Sequence, residues 1–184
     1  VGSGYVPGRW PESVPSQVWI NRGDGTFTPI PIDSVSRVKA AQIYDLDQDG
    51  LDELIVASEF DRIRILNLKD GKVIDRSEEF LPGGKSGLWS AILLQDLDGD
   101  GNPELIAGNW GLNSRLQTDK NQPVRIYFED FDSNGSVDPL MTFPVMGEEF
   151  PFFSRDELAS QMYKKKALFP SHQLFSTAKI QDIL

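Results

Sequence analysis

The stretch Asp96-Leu-Asp-Gly-Asp-Gly-Asn-Pro-Glu104 places four acidic side chains and two glycines within nine residues. Like charges a few ångströms apart cost on the order of 1 kcal/mol or more per pair even near water. A folded chain keeps such a loop only if something neutralises it. The stretch also has relatives. Asp45-Leu-Asp-Gln-Asp-Gly-Leu-Asp-Glu53 matches it closely, and Asp130-Phe-Asp-Ser-Asn-Gly-Ser-Val-Asp138 matches more loosely. The starts lie 51 residues apart (96 minus 45) and then 34 (130 minus 96). Such intervals suit the blades of a β-propeller better than helical repeats, and their inequality shows that the units are not identical.

The flanks of the three copies share a pattern. A β-prone run precedes each one: Ala41–Tyr44, Ala91–Leu94 and Val124–Phe128. An apolar run follows each one: Leu54–Ala57, Leu105–Ala107 and Pro139–Phe143. Each acidic loop therefore reads as a long hairpin connection between two strands. After the first loop, Arg62–Leu68 alternates like a half-buried strand, Lys69-Asp-Gly71 is a turn and Lys72–Asp75 a short partner. Four short strands in succession are what one blade needs. Upstream, Gln17–Ile20, Asn21–Gly25 and Thr26–Thr28 read as the last hairpin of a preceding blade, so the chain is expected to begin inside one. Beyond residue 147 the texture changes. Ser154 and Glu157 form a capping-box signal, and Leu158, Met162 and Tyr163 follow at helical spacing up to a stop at Pro170. A second short helix is expected across Ser176–Ile183, and the end at Leu184 reads as a truncation within a longer polypeptide.

Side chains at positions 1, 3 and 5 of such a loop converge on one point, and a glycine at position 6 permits the positive φ that turns the backbone around it. A carbonyl at position 7 and a carboxylate at position 9 complete an oxygen cage. Hard oxygens in that number suit Ca²⁺ better than octahedral, partly hydrated Mg²⁺. The chain carries 28 Asp and Glu against 18 Lys and Arg, a formal charge of -10. Three divalent ions would bring that to -4. An EF-hand shares the first half of the pattern but needs a bidentate Glu at position 12, where this chain has Val56, Ala107 and Met141.

With strands on both sides, the Asp-x-Asp-x-Asp-Gly-x-x-acid loops resemble those of the FG-GAP/VCBS repeat family, to which integrin α-subunit propellers belong. The resemblance covers roughly residues 17–143, and Asn21-Arg-Gly-Asp-Gly-Thr-Phe27 is similar to the family's recurring inter-blade hairpin. It implies calcium ligands at Asp45, Asp47, Asp49, the Leu51 carbonyl and Glu53. In the second loop it implies Asp96, Asp98, Asp100, the Asn102 carbonyl and Glu104. In the third it implies Asp130, Asp132, Asn134, the Ser136 carbonyl and Asp138. Two features depart from the family: position 9 is Glu in the first two loops, and the third loop follows too soon for a full blade. Gly108–Ser114 and Phe150–Leu158 resemble a subset of exported VCBS-repeat proteins of Bacteroidetes-type bacteria. The fold expected is thus mainly β, a partial β-propeller over residues 1–146, with a helical insertion or extension over 147–184.

The acidic balance disfavours nucleic acid, whose phosphates are held by clustered Lys and Arg. No run of about 18 apolar residues is present, so no membrane insertion is expected, and there is no secretory leader within the chain. The absence of cysteine excludes disulfides and thiolate metal sites. Arg22-Gly-Asp24 spells an adhesion tripeptide but sits where the family makes a turn. His172, the single histidine, reads as a surface or packing residue, and Lys164–Lys166 as a solvated helix face. Trp89 and Trp110 read as packing residues rather than a sugar-stacking platform. Carboxylates that ligate calcium cannot also hold a proton near neutral pH. The free candidates Glu59, Asp61 and Glu129 show no catalytic partner, so no catalytic residue is assigned.

The function expected is a non-enzymatic, extracytoplasmic module for protein or carbohydrate ligands, held rigid by two to three Ca²⁺ ions. Its alternative is part of a polysaccharide-processing lyase or hydrolase. Exposed blade edges predict self-association.

Overall fold

The computed structural model describes every residue except 112, 113, 115, 117, 119 and 120. Two residues of the Gly108–Ser114 segment, Leu112 and Asn113, thus lie outside the described residues. The chain divides into two compact units: Val1–Val6 with Glu12–Trp110, and Pro7–Pro11 with Gly111–Leu184.

The first unit opens on an antiparallel hairpin, β1 (Ser16–Asn21) and β2 (Phe27–Ile32). Its tip is made by short side chains: Asn21 Oδ1 accepts from Gly23 N at 2.9 Å, and Asp24 Oδ1 accepts from Thr26 N at 2.9 Å. The tripeptide Arg22-Gly-Asp24 thus builds a turn, in which the Thr26 hydroxyl and N–H hold the Asp24 carboxyl below its ordinary range.

Next comes a four-stranded antiparallel meander, β3 (Val38–Tyr44), β4 (Glu53–Asp61), β5 (Arg64–Lys69) and β6 (Lys72–Asp75). The apolar run in β4 reflects its place between β3 and β5, where Ile55, Val56 and Ala57 are all buried. The β5–β6 turn uses Asp70 and Gly71 at φ +52° and +71°, a left-handed pair typical of tight hairpins. A single turn of helix, α1 (Ser77–Phe80), closes the meander. The second hairpin, β7 (Gly87–Gln95) and β8 (Glu104–Asn109), joins through Leu88 and Gly87 of β7 beside Glu59 and Asp61 of β4. Two apolar clusters fill this unit, one around Ile32, Val35, Val56 and Leu66, the other around Ile55, Ile63 and Ile65. Trp89 packs at the edge of the second cluster, whereas Trp110 is exposed.

The second unit holds a three-stranded sheet of β9 (Arg125–Glu129), β10 (Asp138–Val145) and β11 (Glu148–Pro151), with β10 central. Strand β10 alternates with period two, so Asp138, Leu140 and Thr142 all point inward. Helix α2 (Arg155–Gln161) begins on the expected capping box: Ser154 Oγ accepts from Glu157 N, and Glu157 Oε2 accepts from Ser154 N at 2.7 Å. Leu158, Met162, Phe169, Ala178, Ile180 and Ile183 of the tail pack around Leu140 as one core.

Mainly β, with several antiparallel sheets none of which closes, is the architecture observed. The helical expectations need correction. Helix α2 stops at Gln161 rather than running toward Pro170, because Met162 leaves helical backbone (φ -119°, ψ 79°) to bury its side chain. Tyr163 is therefore exposed, and Lys164–Lys166 lie on a 3₁₀ segment, Tyr163–Leu168. The helix placed across Ser176–Ile183 is instead a four-residue turn, α3 (His172–Phe175), and a 3₁₀ turn at Ile180–Asp182. Ala178, Ile180 and Ile183 reach the core from those short pieces.

Candidate functional site

The three acidic loops connect β3 to β4, β7 to β8 and β9 to β10, as their flanks predict. Their registers coincide. The residue before position 1 faces position 9 in each hairpin: Tyr44 opposite Glu53, Gln95 opposite Glu104, and Glu129 opposite Asp138. Residues 45–52, 96–103 and 130–137 are thus three connections of eight residues.

Their backbones coincide as well. Position 6 is glycine at φ +87° (Gly50), +90° (Gly101) and +89° (Gly135). Position 4 is also left-handed, at Gln48 (+58°), Gly99 (+80°) and Ser133 (+55°), although only one of those is glycine. This second reversal was not legible from sequence. A Cβ added to Gly135 meets nothing within 4 Å, so replacing it strains only the backbone. Gly135→Ala is expected to cost about 1 kcal/mol by urea denaturation; an unchanged midpoint would show that the loop relaxes freely.

The carboxylates have distinct duties. Position 1 folds the loop around itself: Asp45 accepts from Asp49 N (3.1 Å) and Gly50 N (3.0 Å), Asp96 from Gly99 N (2.7 Å) and Gly101 N (3.0 Å), and Asp130 from Asn134 N (2.9 Å) and Gly135 N (2.8 Å). Position 5 accepts from the position-7 N–H in every copy, through Asp49, Asp100 and Asn134. These bonds fix the backbone of Leu51, Asn102 and Ser136, the residues expected to offer carbonyls. Position 9 reaches back to the position-2 N–H, Glu53 to Leu46 at 2.9 Å, Glu104 to Leu97 at 2.8 Å and Asp138 to Phe131 at 3.0 Å.

What converges is positions 1, 3 and 9. The sets Asp45, Asp47 and Glu53; Asp96, Asp98 and Glu104; and Asp130, Asp132 and Asp138 each bring carboxylate oxygens within 4.8 Å of one another. Asp49 and Asp100 stand outside these triads. At that spacing a like-charge pair costs roughly 3–4 kcal/mol at an effective dielectric near 20. Such a set of carboxylates is able to hold a metal ion.

The triads differ in burial. Glu53 is 0% exposed, and its second oxygen accepts from Asn67 Nδ2 and Arg76 Nη1, both at 3.1 Å. In the third loop Asp132 and Asp138 are 6% and 1% exposed, and Oδ1 of each has no hydrogen-bond partner. Burial, with Asp132 and Asp130 nearby, pushes the Asp138 carboxyl above its ordinary range. The N–H groups of Gly135 and Asn134 hold Asp130 below it. The second loop, the fullest match in sequence, is the most solvated, and its position-2 residue Leu97 is 63% exposed.

The other candidate carboxylates are engaged or isolated. Glu59 accepts from the Tyr5 hydroxyl and pairs with Lys39 at 3.2 Å, and Asp61 pairs with Arg64 at 2.9 Å. His172 is exposed, with Nε2 3.7 Å from Asp156.

Residues 45–107, from position 1 of the first loop to β8 behind the second, match the family model described as FG-GAP-like repeat. The chain carries an FG-GAP-like repeat. That segment contains the β4–β6 part of the meander, the second hairpin and two of the acidic triads. The third loop lies outside the matched FG-GAP-like residues yet repeats their register, φ angles and hydrogen bonds. No curated protein and no solved structure is significantly similar to the chain. No helix among the described residues is long and apolar enough to cross a membrane.

Proposed function

We propose that the chain is a calcium-stabilised, β-propeller-like module that binds protein or carbohydrate ligands outside the cytoplasm, without catalysis. The observation that carries the calcium half is the third loop. Asp132 Oδ1 and Asp138 Oδ1 are buried and unpartnered, and both residues belong, with Asp130, to a set whose carboxylate oxygens lie within 4.8 Å of one another. A buried carboxylate oxygen without a donor is costly unless a cation meets it. All-oxygen donors at positions 1, 3 and 9, joined by the carbonyl expected at position 7, suit Ca²⁺ in particular. Those residues would hold the ion, and the ion would tie together the two strands of the hairpin that binds it.

The binding half is supported by the FG-GAP-like repeat and by apolar surface in the second unit. An apolar hollow of about 400 Å³ in the second unit, lined by Phe143, Val145, Phe150, Pro151, Phe175 and Ala178, is a candidate place for a ligand. Extracytoplasmic calcium is far more abundant than cytosolic calcium, and calcium sites of extracellular modules work in that concentration range. Glycan and peptide arrays probed in calcium and again in EDTA test the reading. Calcium-dependent capture of one ligand class is expected. Turnover of a polysaccharide, lost on replacing a carboxylate outside the loops, would overturn it in favour of an enzyme.

A further inference from the structure

The three triads differ in what neutralises them. Among the described residues, no ion pair reaches the carboxylates of the second or third triad, although Lys164 Nζ donates to the Asp132 and Ser133 carbonyls of the third loop, whereas the first triad already holds a cation on its carboxylates. Arg76 Nη2 lies 2.9 Å from Asp47 Oδ2, and Nη1 lies 3.1 Å from Glu53 Oε1. These are the position-3 and position-9 groups of one convergent set.

The guanidinium is held there from every side. Arg76 directly follows β6 and donates its backbone N–H to Ile65 O at 2.8 Å. Glu79 accepts from Nε at 2.9 Å and from Nη2 at 2.7 Å, and the Phe80 ring lies 4.8 Å from Cζ. Glu79 first and Asp47 second keep the group firmly protonated. A planar fork with five donors can bridge two carboxylates at once, which an ammonium cannot do with the same geometry.

We propose that Arg76 is a tethered counter-cation: its guanidinium takes, at the first loop, the place that a divalent ion takes at the other two. This rests on the calcium reading of the second and third loops. A divalent ion entering the first triad must either displace the guanidinium and strand it, or bind beside a fixed positive charge. Both lower its affinity. The first hairpin is thereby closed without metal, and the chain loads two ions where its motifs number three.

Calcium titration of the full chain by calorimetry, after chelator treatment, tests this. Two equivalents are expected. Asp98→Asn and Asp132→Asn should each remove one and Asp47→Asn none. Arg76→Met should open the first loop and raise its affinity at least about tenfold. Three equivalents in the wild-type chain, with one lost in Asp47→Asn, would overturn the proposal, as would an unchanged count in Arg76→Met. If Arg76→Met does not fold, Asp47→Asn decides alone, since it leaves the Arg76–Glu53 pair in place. Calcium uptake at no loop sinks the calcium reading instead. Arg76 is then judged by melting the two single variants and the double variant without metal. Strongly sub-additive losses uphold the counter-cation, and additive losses overturn it.

Discussion

Calcium should raise the melting temperature of this chain by roughly 10–20 °C over its value in EDTA. An ion present at about 100 times its dissociation constant adds about 2.7 kcal/mol to the state that binds it. In a unit of 60–100 residues each kcal/mol shifts the midpoint by about 4–8 °C. The third loop supplies the reason, since Asp132 and Asp138 place unpartnered oxygens in the interior and an unfolded chain has no such arrangement. Mg²⁺ should give a much smaller shift, because it dehydrates reluctantly and demands octahedral geometry. The gap between calcium and EDTA should narrow on acidification. Asp138 has a raised carboxyl pKa in the folded state, so without metal it contributes stability below its unfolded pKa and loses it as pH rises through the folded one. The metal-free chain thus gains from mild acid while protons compete with calcium. Differential scanning calorimetry in EDTA, Ca²⁺ and Mg²⁺, at neutral and at mildly acidic pH, checks all three statements. Coincident melts in the three buffers would remove the ion from these loops.

Leu140→Ala should cost about 3–5 kcal/mol. Leu140 is 0% exposed on the central strand of the three-stranded sheet, and Leu158, Met162, Phe169, Ile180 and Ile183 share its cluster. The tail residues that surround it come from one short helix and several single turns, none of which forms alone in water. Truncation therefore removes the apolar contact on which those turns depend, and leaves a cavity beneath Asp138, two residues away on the same face. Chemical denaturation measures the loss. A cost under about 1 kcal/mol would mean that the tail repacks over the gap, which a core assembled from such pieces should not manage.

The hairpins were readable because the Asp-x-Asp-x-Asp-Gly spacing and the period-two flanks are both local. The left-handed position 4 was not, since Gln48 and Ser133 carry no mark of it. Match to the motif also ranks the loops differently from their surroundings. The fullest copy, at Asp96, is the most solvated, and the loosest, at Asp130, is the most buried, because burial is set by what packs against position 2. Phe131 lies against the second unit's core, Leu46 against one of the first unit's clusters, and Leu97 against nothing comparable. Arg76 lies 31 residues after Asp45 (76 minus 45), and only the completed meander brings it to the loop. In the tail, the capping box at Ser154 was legible, but the early end of α2 was not, since burial of Met162 outweighs continued helix there.

The shared register of the three hairpins has a further consequence. Each connection is anchored by bonds among its own nine positions, and enters and leaves its strands at one facing pair. Its backbone turn is set largely from within, while its burial comes from the core beside it. The loop is in effect an interchangeable cassette: the nine residues from Asp130 can be grafted in place of those from Asp96 without changing strand lengths. A single inserted residue, by contrast, turns every side chain beyond it to the opposite face of the sheet.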